Sequence, residues 1–152
     1  MLSLKTFSRK KALLLVLAVA AVLLVLIGLK SLFYGKGPDL DSIEGRLAFV
    51  EELGWEVDAG SEEFRTVKVP EKLEGIMGQY NKMQLAQGYD LSLYLGQTCQ
   101  QYSYQLTNYK DCPEPVFITL YILDGQLIAG DIHTNSINGF MHGLKTEKPR
   151  SS

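Results

Sequence analysis

Residues 116–132 read VFITLYILDGQLIAGDI. Two apolar runs rich in β-branched side chains, 116–123 and 126–132, are separated only by Asp124 and Gly125. A two-residue hairpin loop needs positive φ at both central positions, and Asp-Gly supplies it at low cost. The stretch is therefore expected to fold as a β-hairpin. Its first arm is apolar without alternation, as expected of a central strand.

Upstream, residues 99–109 alternate. Tyr102, Tyr104 and Leu106 fall on one side, and Ser103, Gln105 and Thr107 on the other. Period-two alternation marks a half-buried strand, which makes three meandering strands in the C-terminal third. Further upstream, Phe64 to Val69 alternate as a short strand. Pro70 fits the first turn of a helix running to about Ala86, because its missing N–H is harmless there. Leu73, Ile76, Met77, Tyr80 and Met83 supply that helix with an apolar stripe. An earlier helix is expected from Ser42 to Leu53, capped by Asp41 or Ser42 and closed by Gly54 in the left-handed region. Its stripe is Leu40, Ile43, Leu47, Val50 and Leu53, at spacings of three and four. The expected fold over residues 40–145 is α+β: two helices packed on one face of an antiparallel sheet of about four strands. Residues 146–152 are expected to form a disordered tail.

The N-terminal part has a different character. Ala12 to Leu29 is 18 consecutive residues without charge. As a helix at about 1.5 Å per residue it would be about 27 Å long, close to the hydrocarbon thickness of a bilayer. Phe33 and Tyr34 stand where an interfacial aromatic belt would lie. Residues 12–34 are thus expected to form a signal-anchor helix, preceded by a cytoplasmic stub, 1–11, and followed by a linker, 35–39. Four basic residues precede the run and two follow it closely. That bias places the N-terminus in the cytoplasm and residues 40–145 outside. A cleaved secretory signal should be shorter and end in a small-x-small site. No such site follows Leu29.

The charge is split along the chain. From residue 37 onward, 17 acids face 9 bases, a net of about −8. An acidic domain repels nucleic-acid phosphates, so nucleic acid is excluded as a partner.

Several stretches carry a resemblance: GWEVD (54–58), VKVPEKLEGIMGQYNKMQLAQGYDLSLYLG (67–96), YSYQLTNY (102–109), LYILDGQLIAGDI (120–132) and NGFMHGL (138–144). In this order they are similar to a family of short clostridial (Firmicutes) proteins known as a domain of unknown function. The resemblance covers nearly all of 43–144. It implies a small membrane-anchored or exported domain and brings no activity with it. Cys99 and Cys112 lie outside its pattern.

An exported domain could keep those two cysteines as a disulfide. A continuous strand over 100–109 would instead hold its ends about 30 Å apart, against the roughly 5.5 Å between Cα atoms that a bridge needs. The strand and the bridge cannot both hold unless the chain turns within the segment, and either one stays open. The nearest approach to a metal set is Asp131, His133 and His142, but no H-E-x-x-H or dense cluster supports it. No nucleophile elbow, phosphate loop or dinucleotide fingerprint is present, and the residues call for no cofactor. Tyr80, Tyr89, Tyr94, Tyr102, Tyr104, Tyr109 and Tyr121 suit a core, or an aromatic binding face. The leading expectation is a non-catalytic interaction module at the envelope, binding a protein, peptide or glycan through a sheet face or edge. The alternative is a small envelope hydrolase with its site near Asp131 and His133.

Overall fold

The hairpin forms as expected. In the computed structural model, which describes residues 16–22, 24–25 and 38–145, β3 (Val116–Leu123) and β4 (Gln126–Thr134) pair antiparallel. Asp124 and Gly125 take φ of 51° and 72°, both positive as a type I′ turn requires. The elements before them are α1 (Ile43–Glu52), β1 (Val57–Lys68), α2 (Gly75–Ala86), a short 3-10 turn at Leu91–Tyr94, and β2 (Thr98–Leu106). β5 (Met141–His142) closes the series. The sheet is a meander in the order β1-β2-β3-β4-β5, antiparallel throughout.

The α+β class is as expected, and three details differ. The sheet has five strands rather than about four, because the fifth spans only two residues and leaves no periodic signal. The second helix starts at Gly75, not at Pro70. Residues 71–72 form a bend instead, and Glu74 caps the helix without a side-chain hydrogen bond. The third difference concerns faces. Cross-strand partners share a face, so Tyr102, Tyr104, Ile118, Leu120, Ile122 and Ile132 lie together on one side. Leu47 and Val50 of α1 and its C-cap Leu53 pack there with Trp55 and Leu144, forming the main core. The other face carries Cys99, Tyr121 and Ala129, and Tyr80 of α2 packs against that group. The helices therefore cover opposite faces.

Ser42 caps α1, its Oγ accepting from the Gly45 N–H at 3.0 Å. Gly54 then ends the helix at φ 82°. Arg46 sits on the buried side of α1, its side chain 4% exposed. Its guanidinium donates to Tyr104 Oη at 2.8 Å, Glu62 Oε2 at 2.9 Å, and the carbonyls of Leu40 and Asp41. It also lies 3.6 Å above the Tyr102 ring. The pairing of β1 with β2 is irregular between Asp58 and Glu63. Burial alone would raise the Glu62 carboxyl, but hydrogen bonds from Tyr104 and Arg46 outweigh it and hold Glu62 below its ordinary range. Burial first, then Glu62, pushes the Tyr104 phenol up to about 12.

The N-terminal residues form a separate unit, 1–37. Residues 16–22 and 24–25 are helical. The stub 1–11, most of the expected anchor 12–34, the start of the linker and the tail 146–152 lie outside the described residues. Among the described residues no helix is long and apolar enough to cross a membrane.

Candidate functional site

The α2 helix was expected to bury Leu73, Ile76, Met77, Tyr80 and Met83. Leu73 and Tyr80 do pack against the α2-face core, but the buried residues of the helix are Asn81 and Gln84, and Ile76 is 86% exposed. The reason lies at the margin of β4. β5 pairs only with Ile132 and His133, so it leaves the outward N–H and C=O of Gly130 without a strand partner. Gln84 takes that place. Its Nε2 donates to Gly130 O at 3.0 Å, and its Oε1 accepts from Gly130 N at 3.0 Å. Gln87 Nε2 also donates to Gly130 O, and Gln87 Oε1 accepts from Leu144 N at 2.7 Å. A buried backbone group left unpaired costs about 1–3 kcal/mol, so two glutamines clamp α2 to the sheet.

One turn before Gln84, the clamp sets Tyr80 over Asp131. The carboxylate is buried, at 1% exposure. The Tyr80 hydroxyl donates to Oδ2 at 2.6 Å, and His133 Nδ1 lies 2.8 Å from Oδ1. A carboxylate only accepts, so Nδ1 carries a proton, and in the neutral ring Nε2 is the acceptor. Burial first, then the Asp131 charge, drives the Tyr80 phenol far above its ordinary value. Tyr80 therefore acts as a fixed donor. His133 stacks on Phe117, the ring centroids 6.0 Å apart. Across the strands, Thr119 pairs in register with Asp131 and with Ser103, and the Thr119 and Ser103 hydroxyls bond each other.

This buried chain stands between two hollows on the α2 face. The larger is a half-open groove of about 380 Å³ between α2 and the sheet, walled by Val67, Val69, Pro70, Met77, Tyr121 and Ala129. Ile76 and Met141 stand at its rim, and Tyr80 and Cys99 also line it. The smaller, about 110 Å³, is polar and is lined by Glu63, Arg65, Ser103, Phe117, His133 and Asn135. Gln101 belongs to both.

The residues singled out in the sequence are only partly brought together. Asp131 and His133 are in contact. His142 is not with them: it pairs with Ile132 on the α1 face. There it stacks on Tyr109 and Phe140, and its Nε2 lies 3.0 Å from the Tyr109 hydroxyl. The three residues weighed as metal ligands are thus split between two faces. Among the described residues, no group of three or more histidines, cysteines and acids could hold a metal ion.

Cys99 and Cys112 are both free. Cys99 packs on the α2 face and Cys112 against the α1-face core, so the sheet separates them. Burial pushes the Cys99 thiol up, which disfavours the nucleophilic thiolate. None of the seven tyrosines is exposed. All seven line the two cores, where Tyr104 is fully buried.

Sequence reasoning missed Arg46 and Gln84. Each stood at a position that the spacing marks as inward, Arg46 four residues before Val50 and Gln84 four after Tyr80. A polar residue at such a position was the available signal. No protein-family model, curated protein or solved structure matches this chain.

Proposed function

We propose that this chain is a membrane-tethered binding module of the bacterial cell envelope. Residues 12–34 anchor it, the N-terminus is cytoplasmic, and residues 40–145 lie outside and engage an envelope protein, peptide or glycan. The likeness to short clostridial (Firmicutes) membrane-anchored or exported proteins agrees with this reading. Two observations support the anchor. The run from Ala12 to Leu29 lacks charge. Within it, side chains of the helical residues such as Val16, Leu17 and Leu24 are 58–70% exposed, which water disfavours and lipid does not.

The groove between α2 and the sheet carries the binding half of the proposal. A half-open apolar hollow of about 380 Å³ with a few fixed polar groups at one end has the composition of ligand sites. The test uses the full chain in lipid nanodiscs and a photoreactive octyl chain. Crosslinks should concentrate on residues 67–77 and 121–129, and Ile76→Glu at the exposed rim should suppress them. Labelling spread evenly over the domain would count against the groove.

A second reading is a small envelope hydrolase. It is motivated by the Asp131–His133 pair, in which a buried carboxylate orients an imidazole. Among the described residues no serine or cysteine side chain bonds His133. Its activated group would therefore be a water held by Nε2. Turnover of a peptide, ester or glycan substrate by the full chain, abolished by Asp131→Asn with folding intact, would favour this enzyme over the binding module.

A further inference from the structure

We infer that the ligand is an amphiphile, an alkyl chain carrying a neutral, sugar-like polyhydroxyl head. This rests on the groove-binding reading above and adds the chemical class of the ligand.

The two hollows follow one another along the same strands. On the α2 face, Val67 pairs with Cys99, Arg65 with Gln101, and Glu63 with Ser103. Each step is two residues along β1, so the trough changes from apolar to polar over about 7 Å per step. One molecule lying along it meets first Val67, Tyr121 and Ala129, and then Arg65, Ser103 and His133. Gln101 is the junction.

The polar end selects the head group. Besides His133, which faces Asp131, it holds one acid and one base, and these bond each other: Arg65 Nη2 lies 3.2 Å from Glu63 Oε2. A charged head would find its counter-charge already engaged, and an anionic one would also face a domain of about −8. The other groups are mixed donors and acceptors: the amides of Gln101 and Asn135, the Ser103 hydroxyl and the free nitrogen of His133. A hydroxyl both donates and accepts, so a neutral polyol suits such a set where an ion does not. The Phe117 ring, backed by His133, adds an apolar surface among them. The Tyr80–Asp131–His133 chain puts a proton on Nδ1, so a ligand hydroxyl meets Nε2, which accepts in the neutral ring.

The experiment compares two photoreactive probes on the full chain in nanodiscs: a diazirine-bearing octyl glucoside, and the same octyl chain ending in a carboxylate. Arg65 and Asn135 are exposed, so Arg65→Met with Asn135→Ala should leave the fold intact. The glucoside should label residues 67–77 and 121–129 about ten-fold more than the carboxylate, the factor given by one or two net hydrogen bonds. The double substitution should bring it down to the carboxylate's level. Equal labelling of the groove by both probes would leave the groove standing and overturn the sugar-like head. Labelling of the groove by neither would overturn both readings.

Discussion

Replacing Gln84 by Leu tests how the site is held. Gln84 is fully buried, and its amide supplies both partners of the Gly130 peptide groups. Leucine has similar bulk and no polar atoms. In the variant, Gly130 O keeps Gln87 as donor at 3.0 Å, but the Gly130 N–H is orphaned. One unsatisfied buried donor costs about 1–3 kcal/mol, and the lost bond to Gly130 O adds about 1. Better transfer of the leucine side chain offsets part of this. The net expectation is a loss of about 2–3 kcal/mol. For a domain of this size that lowers Tm by about 10–20 °C. Thermal and urea unfolding of the full chain, followed by circular dichroism, measures it. Gln79→Ala on the exposed side of the same helix is the control and should stay within about 0.5 kcal/mol. A change below about 0.5 kcal/mol in Gln84→Leu would refute the clamp.

Arg46→Met should cost about 2–4 kcal/mol, since it leaves the Leu40 and Asp41 carbonyls without their donor and the partly buried Glu62 without its counter-charge, held by Tyr104 alone. It should also flatten the acid limb of stability. Glu62 titrates lower folded than unfolded, so its contribution is present above the ordinary carboxyl value near 4.5 and is lost as pH falls through the lower folded value; urea unfolding between pH 6 and 3 reads this. Gly130→Ala places a Cβ 2.7 Å from Cδ1 of the buried Leu144, and calorimetry should show a destabilisation of about 1–3 kcal/mol. Denatured but unreduced protein should take up two alkylating groups, on Cys99 and Cys112, and mass spectrometry showing none would place a disulfide where the sheet forbids one.

The parts of the fold that were legible are those fixed by local rules. Asp124-Gly125 dictates its turn whatever surrounds it, and Ser42 and Gly54 bracket α1 through backbone geometry. The alternation at Tyr102 and Tyr104 gave the α1 face because their cross-strand partners there, Leu120 and Ile118, belong to an apolar core. α2 escaped the same logic. Its contact with the sheet is made by Gln84, Gln87 and Tyr80 bonding polar groups, and apolar periodicity does not register polar burial. Ile76, placed inward by its spacing, turns out at the rim of a groove. β5 owes its existence to pairing with Ile132 and His133 and has no pattern of its own. At the site, Asp131 and His133 were legible as neighbours on one strand face. Their link to Tyr80, 51 positions upstream, exists only once α2 is docked. His142 was drawn into the same group by closeness in sequence, while the alternation across β5 sends it to the other face.

Everything proposed about function depends on where residues 40–145 reside. Paired C-terminal fusions to full-length protein measure this directly, one to a phosphatase active only outside the cytoplasm and one to a fluorescent protein that matures only inside. An external domain gives phosphatase activity in the membrane fraction and a dark fluorescent fusion. A bright fluorescent fusion with a silent phosphatase would contradict it.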